Sequence, residues 1–148
     1  MQVKDIMVKN VITLSPEMNA DEAMQKLLAK EISGLPVVDG NNKLIGMFTE
    51  KSILRAILPS YVEQVGHFVY NADPKKLSER VQRLSQIKVK DLMRKEVVTA
   101  NEDTSLYEVA RIMLTQKIRR IPVIDKDNRV IGIIARQDVL KAFVKIRN

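Results

Sequence analysis

The chain carries the same pattern twice, at a constant spacing. The stretch "GLPVVDGNNKLIGMF" begins at residue 34 and "RIPVIDKDNRVIGII" begins at residue 120, which is 120 − 34 = 86 positions later. Residues 3–54 align with residues 89–140 without a gap, and about a third of the aligned positions are identical. One copy of about fifty residues is too small to bury a core by itself. The repeat therefore predicts two copies of one supersecondary unit that share a core.

Composition places the chain among ordinary globular proteins. Hydrophobic residues make up 45% of its 148 residues and charged residues 29%, with no low-complexity tract. No apolar run approaches the ~18 residues that a membrane helix needs, and the first residues lack an apolar signal core. The absence of cysteine excludes disulfides and thiolate metal sites and fits a reducing compartment. We expect a cytoplasmic protein without a membrane span.

Each copy contains a leading segment, a helix, a hairpin and a second helix. Capping-box spacing opens the first helix of each copy, with Asn19 and Glu22 in one and Ser105 and Glu108 in the other. Apolar residues follow these caps at helical spacing. Two apolar runs around a turn rich in Asp, Gly and Asn predict a hairpin in each copy. Because the leading segment is also predicted to form a strand, each repeat has the order β-α-β-β-α.

The strands "LPVV" and "IPVI" are continuously apolar, which indicates that both faces of each sheet are covered. The predicted fold class is α+β, with the two repeats packed sheet to sheet about a pseudo-twofold axis. Residues 1–54 form the first repeat, 55–88 a partly helical connector and 89–148 the second repeat. Within the connector, Asp73 is predicted to cap a helix that starts at Pro74. Three connector aromatics are predicted to cover apolar surface: Tyr61, Phe68 and Tyr70.

The sequence lacks the residue groups that most enzymes need. His67 is the only histidine, cysteine is absent, and the five glycines form neither GxGxxG nor GxxxxGK[ST]. We therefore predict no catalytic activity and no metal site, with His67 a surface or packing residue.

The formal net charge of +7 favours an anionic partner, either the phosphates of a small ligand or a nucleic acid. The sequence has neither zinc-finger spacing nor an RNP-like aromatic strand, so no motif supports nucleic-acid binding. Nucleic-acid binding is therefore the alternative function.

The repeated "VKDIM" and "VKDLM", the strand start h-P-V-h-D and the second strand h-I-G-h-h, where h is an apolar residue, resemble a tandem pair of CBS domains. This family is named after cystathionine β-synthase. The two 52-residue spans cover 2 × 52 = 104 of the 148 residues. The resemblance implies a stand-alone regulatory module, of the kind called a Bateman module, that binds AMP, ADP, ATP or S-adenosylmethionine and catalyses nothing. It also implies a homodimer whose output is read by an unknown regulated enzyme or transporter.

The resemblance also implies which residues form the nucleotide clefts. The family motif G-h-h-[T/S]-x-x-D places a hydroxyl and a carboxylate at a helix N-terminus, where the carboxylate accepts ribose hydroxyls and backbone donors attract phosphate. The other repeat contributes its leading strand and proline segment. One cleft then combines Ile134, Arg136 and Asp138 with Thr13, Ile32, Ser33, Leu35 and Pro36. The opposite cleft combines Thr49 and Ser52 with Thr99, Ile118, Arg119 and Ile121.

Each repeat keeps only half of this motif. The first repeat has the hydroxyl of Thr49 but carries Ser52 where the carboxylate belongs, and the second has Asp138 but carries Ala135 where the hydroxyl belongs. We therefore predict unequal clefts, with the Asp138 cleft the tighter. If Asp138 is only a helix N-cap, it needs no ligand.

Arginines surround the same motif in the second repeat. The stretch "KIRRIP" supplies Arg119 and Arg120, and Arg136 lies close to Asp138 in sequence. Because guanidinium groups bind phosphate oxygens bidentately, we predict phosphate contact by at least one of these arginines.

Overall fold

The computed structural model describes residues 1–58 and 74–148. In the first repeat, α1 (Val3–Ile6), α2 (Ala20–Lys30), β1 (Gly34–Val38), β2 (Leu44–Thr49) and α3 (Glu50–Ile57) follow one another. The connector contains α4 (Pro74–Gln82) and a 3₁₀ turn (Arg83–Ser85). The second repeat contains α5 (Val89–Leu92), α6 (Leu106–Gln116), β3 (Arg120–Ile124), β4 (Val130–Ala135) and α7 (Arg136–Arg147). The α+β class with two equivalent repeats is confirmed. The predictions for Tyr61, His67, Phe68, Tyr70 and Asp73 lie outside the described residues.

The predicted helix caps are confirmed in both repeats. The Asn19 side chain accepts a hydrogen bond from the Glu22 N–H at 2.8 Å, and Ser105 Oγ accepts one from the Glu108 N–H at 3.1 Å. These bonds satisfy a backbone donor that the first helical turn leaves free. Both helices also end in the same way, on a left-handed residue other than glycine: Glu31 with φ 53° and Lys117 with φ 55°.

The leading segment of each repeat, predicted as a strand, begins with a short helix and afterwards pairs through isolated bridges. The parallel bridge joins Leu14 to Val37 in the first repeat and Ala100 to Val123 in the second. The chain turns directly afterwards, because the Glu17 N–H bonds to Ser15 Oγ at 3.2 Å and the Asp103 N–H to Asn101 Oδ1 at 3.0 Å. These local side-chain bonds compete with strand pairing and end it.

The chain divides into two compact units that do not coincide with the sequence repeats. Unit 1 contains residues 1–13, 38–45 and 96–148, and unit 2 contains residues 14–37 and 46–95. The leading segment of the first repeat thus belongs to unit 1, and its Val3 is fully buried in a core with Val109, Ile121 and Ile134. The repeat boundaries at 54 and 88 stay a prediction.

Unit 1 also contains both hairpin turns, which bind each other reciprocally. Asn42 Nδ2 donates to the Val130 carbonyl at 2.9 Å, and Asn128 Nδ2 donates to the Leu44 carbonyl at 3.1 Å. Both asparagines have positive φ, 63° and 65°, which asparagine tolerates better than most residues. The same pair of contacts, repeated at the spacing of 86, joins the first hairpin turn to the second repeat.

Connector helix α4 and the following turn belong to unit 2. Arg80 Nη1 donates to the Ile57 carbonyl at the end of α3 at 3.1 Å, and Leu84 is fully buried. The start of α4 at Pro74 agrees with the sequence, since proline suits the first helical position.

Candidate functional site

The start of α7 in unit 1 carries the predicted carboxylate. The sequence also allowed Asp138 to be only the N-cap of this helix. The N-cap is Ala135, and Asp138 is the third helical residue, so that alternative is wrong. Its Oδ2 accepts a hydrogen bond from the Ala135 N–H at 2.8 Å, and the residue is half-buried. An ionised carboxylate offers about four lone-pair positions, of which this bond uses one. The carboxylate therefore retains acceptor capacity.

The first residue of β3 and the residue before it bring two arginines to the same helix start. Arg120 pairs with Ala135 in the antiparallel β3–β4 register, and the Arg136 N–H donates to the Arg119 carbonyl at 3.0 Å. Arg136 Nε lies 3.4 Å from the Ile118 carbonyl. The three predicted arginines thus cluster by backbone contacts around the first residues of a twelve-residue helix. Their charges add to the positive end of the helix dipole.

The start of α3 in unit 2 has the same backbone frame with different side chains. The Thr49 N–H donates to Ser52 Oγ at 3.1 Å, in the place of the Ala135–Asp138 bond, and the two hydroxyl oxygens lie 3.4 Å apart. The Glu50 N–H donates to the Ser33 carbonyl at 2.9 Å, as Arg136 does to Arg119. Ser52 is only 4% exposed. The two hydroxyls therefore satisfy local backbone and each other.

Sequence reasoning missed a steric contact before α3, between Gly34 and Thr49. A Cβ atom at Gly34 would lie 2.8 Å from Thr49 Cγ2, so the threonine requires glycine there. In the second repeat, Arg120 and Ala135 stand at the equivalent positions and pair across the hairpin. The signal was present, because the spacing of 86 pairs Gly34 with Arg120 and Thr49 with Ala135. The second repeat thus has a residue with a Cβ atom opposite alanine, where the first repeat has glycine against the threonine methyl group.

The predicted apolar site residues are mostly parts of the cores. Ile121 and Ile134 are fully buried in unit 1, and Leu35 and Pro36 are buried in unit 2. These four residues therefore present almost no surface to solvent. The remaining predicted site residues are half-buried: Thr13, Ile32, Ser33, Thr99 and Ile118.

Thr99 also lines a surface cavity of about 520 Å³ in unit 1, together with residues 100–104 and 124–126. This cavity lies past the end of β3, whereas the arginines and Ile118 lie at its beginning. Each predicted cleft draws residues from both units, and the two clefts remain predictions.

Metal chemistry finds no support in residues 1–58 and 74–148, where no three His, Cys, Asp or Glu side chains form a possible metal site. In the same ranges, no helix has the length and apolar character needed to cross a bilayer.

Comparison with known proteins identifies the repeats. The family model described as CBS domain matches residues 3–59 and 89–145, most of the chain. The chain belongs to the CBS domain family. Its two matches form a tandem CBS domain pair, as the sequence resemblance implied.

Curated CBS relatives differ in how much of their length the pair represents. Inosine-5′-monophosphate dehydrogenase of Methanocaldococcus jannaschii is 34% identical over 93% of this chain, but the chain spans only 22% of that enzyme. The chloroplastic CBS domain-containing protein CBSX2 of Arabidopsis thaliana is 30% identical over 94% of this chain, which spans 61% of it. The chain is therefore similar to a module of the dehydrogenase, not to the whole enzyme.

Solved CBS pairs include complexes with adenosine compounds. CBSX2 in complex with AMP has a TM-score of 0.76 and 28% identity, and the match covers 99% of this chain and 98% of that one. The CBS domain pair of MJ0100 in complex with 5′-methylthioadenosine and S-adenosyl-L-methionine has a TM-score of 0.71 and 26% identity, with coverage of 99% and 98%.

Proposed function

We propose that this CBS pair is a non-catalytic regulatory module that binds an adenosine nucleotide in clefts to which both repeats contribute. The observation that carries the proposal is the start of α7, where a half-buried carboxylate with free acceptor capacity follows Arg136 by two residues, on a helix whose first N–H is bonded to the Arg119 carbonyl. Relatives of the same fold that hold AMP or S-adenosylmethionine support the adenosine part.

Asp138 is the proposed ribose-binding residue. A carboxylate accepts both hydroxyls of a ribose through charge-assisted bonds, which are about twice as strong as neutral ones. The bond from the Ala135 N–H fixes the carboxylate at the helix start without consuming its remaining lone pairs. The role in the helix and the role in binding are therefore compatible.

The arginines favour phosphate-bearing ligands. Arg119 and Arg136 are exposed and Arg120 is half-buried, and the backbones of all three meet at the start of α7. S-Adenosylmethionine carries a sulfonium cation, which these charges disfavour, whereas AMP, ADP and ATP carry the anions that guanidinium groups bind. We rank the three adenine nucleotides above S-adenosylmethionine.

A melting screen tests this function. A ligand that binds only the folded chain stabilises it by RT ln(1 + [L]/Kd), so AMP, ADP or ATP at millimolar concentration should raise Tm. Inosine monophosphate and free phosphate are the matched controls, since they keep the anion without adenine. If no adenosine compound changes Tm, the proposal is wrong.

The alternative, nucleic-acid binding, predicts a different outcome in the same screen. An oligonucleotide would then stabilise the chain at low salt, with steep weakening as salt rises, and mononucleotides would have no effect. The net charge of +7 is the observation that favours this alternative.

We also propose a homodimer that reports its state to a separate enzyme or transporter. Helix α7 exposes a row of apolar side chains on a helix that carries only Val139 and Ala142 into the core; the exposed residues are Leu140, Phe143, Val144 and Ile146. Burying this row between copies would remove apolar surface from water. Sedimentation should give a dimer that Phe143→Lys weakens and Leu77→Lys, on α4, does not; a monomer at micromolar concentration contradicts it.

A further inference from the structure

The leading segment of the first repeat lies in a groove of unit 1 formed by distant parts of the sequence. The Val3 N–H donates to the Thr104 carbonyl at 2.8 Å, and the Lys4 N–H donates to the Glu102 carbonyl at 3.1 Å. The Leu106 N–H in turn donates to the Met1 carbonyl at 3.0 Å. We call the loop 102–106 and the strand edge 132–133 the leading-segment groove. Its contacts join positions about a hundred residues apart.

The far end of the groove binds the segment like an added strand. The Val8 N–H donates to the Ile133 carbonyl at 2.8 Å, and the Ile133 N–H donates to the Val8 carbonyl at 2.9 Å. Met7 packs on Gly132, where a Cβ atom would lie 2.6 Å from the methionine sulfur. Pairing along an exposed sheet edge is a general mode of segment recognition.

Unit 2 repeats the same arrangement with the other leading segment. The Val89 N–H donates to the Met18 carbonyl at 2.8 Å, and Met47 and Arg94 exchange bonds of 2.9 and 2.8 Å. Met93 packs on Gly46 as Met7 packs on Gly132. Both grooves thus bind a V-K-D-h-M segment from elsewhere in the chain. In each unit, the segment and the groove that it contacts are distant in sequence.

The first segment is joined to the rest of its repeat through a short tether. Lys9, Asn10 and Ile12 in this tether are exposed, and the chain passes from unit 1 to unit 2 between Thr13 and Leu14. A segment joined to its repeat by such an exposed tether can be supplied by a second copy with every groove contact preserved.

We propose that the leading-segment groove of unit 1 accepts residues 1–8 of a second copy of this chain as well as its own. Reciprocal exchange creates a dimer linked by these segments, independently of any nucleotide and of the α7 face. Because the contacts within the groove are equal in both forms, mass action favours the exchanged form as concentration rises.

Single-cysteine chains test the exchange directly, because the natural chain has no cysteine. Val8→Cys and Ile133→Cys are placed in two separate full-length chains, which are unfolded together, refolded at high concentration and oxidised with glutathione disulfide. Opposed residues of an antiparallel hydrogen-bonded pair have Cα atoms about 5.5 Å apart, within disulfide reach. Exchange predicts a mixed disulfide between the two chains, identified by mass.

The matched control replaces Ile133→Cys with Ile131→Cys, on the same strand but not opposite Val8. The proposal predicts at least about tenfold more mixed disulfide with Ile133→Cys, and persistence of this product when Phe143→Lys weakens the α7 face. Equal yields overturn it. The double variant Val8→Cys/Ile133→Cys should form the bond within one chain at low concentration; if it stays reduced, the groove pairing and the proposal are both wrong.

Discussion

The starts of α3 and α7 have the same backbone arrangement and differ in the hydrogen-bond acceptors that they leave for a ligand. In each, the N–H of the residue before the helix bonds to a side chain three positions later, Ser52 Oγ at 3.1 Å and Asp138 Oδ2 at 2.8 Å. At α3 the acceptor is a buried hydroxyl that also faces Thr49. At α7 it is a half-buried carboxylate on a helix that begins with Arg136. Duplication kept the backbone hydrogen bonds of the helix start and changed its side chains, and on this difference we base the proposal that the two sites are unequal.

The largest expected effect is the loss of the Asp138 carboxylate. Asp138→Ala removes two charge-assisted bonds to ribose, each contributing about 1.5 to 3 kcal/mol, so nucleotide affinity should fall at least about tenfold. The matched change Ser52→Ala should matter less. Calorimetric titration of both variants measures the difference. Unchanged affinity in Asp138→Ala would mean that the carboxylate only accepts the Ala135 N–H at the helix start and does not bind ribose.

The reciprocal change should make the nucleotide affinities of the two helix starts more similar. Ser52→Asp keeps an acceptor for the Thr49 N–H and adds a second oxygen for ribose, so it should strengthen nucleotide binding at the weaker site by a few-fold. Two-site calorimetry measures the ratio of the affinities. Ser52→Asn, which adds similar volume without charge, is the control, and an equal gain in Ser52→Asn would exclude the role of charge.

The close approach of Gly34 to Thr49 predicts a loss of stability that a second substitution should restore. Gly34→Ala places a Cβ atom 2.8 Å from Thr49 Cγ2 and should cost roughly 1 to 3 kcal/mol of unfolding free energy. Thr49→Ala removes that methyl group, so the double variant Gly34→Ala/Thr49→Ala should recover most of the loss. Urea unfolding of the two single variants and the double variant gives the coupling energy. A double variant as unstable as Gly34→Ala would contradict the account.

The left-handed helix ends predict a smaller gain that should be equal in the two repeats. Glu31 and Lys117 hold φ of 53° and 55°, which glycine adopts without a Cβ penalty. Glu31→Gly and Lys117→Gly should each stabilise by about 0.5 to 1 kcal/mol. Thermal melts test both, with Lys30→Gly inside α2 as a control that should destabilise.

The smallest effect concerns an ion pair in unit 2. Hydrogen bonds from Lys88 at 2.6 Å and Lys90 at 3.0 Å lower the pKa of Glu17 below its ordinary value of 4.5. The same contact raises the pKa of Lys88 above 10.5. The stabilisation is therefore complete between these values and is lost as pH falls through the lowered pKa of Glu17 or rises through the raised pKa of Lys88.

Glu17→Gln should accordingly lower Tm slightly at neutral pH and not at strongly acidic pH. The control is Asp103→Asn, whose partner Lys4 lies at a longer 3.6 Å. A Tm difference for Glu17→Gln that persists in strong acid would mean that charge is not its cause.

Local signals made much of the fold predictable. The caps at Asn19 and Ser105, the helix start at Pro74 and the two hairpins depend on residues a few positions apart, and all are visible in the sequence. The destination of the leading segments was not predicted, because "VKDIM" and "VKDLM" are nearly identical and neither specifies its groove. Only the contacts of Val3 and Val89 with loops of the other repeat reveal it.

The choice of candidate site residues came from the sequence, but their surroundings did not. Asp138 and the Thr49–Ser52 pair were chosen from the family motif, whereas the burial of Ile121 and Ile134 follows from core packing that the motif does not describe. The dependence between Gly34 and Thr49 was found only from their steric contact across the hairpin. The sequence repeat does show that Arg120 and Ala135 stand at the equivalent positions.

Residue-resolved NMR during an AMP titration tests the central claim most directly. Because the Ala135 N–H is bonded to the Asp138 carboxylate, ribose binding there must change the environment of that amide. The account predicts that the amides of Ala135 and Arg136 shift at substoichiometric AMP, before those of Thr49 and Glu50. Earlier shifts at Thr49 and Glu50, or simultaneous shifts at both helix starts, would contradict it.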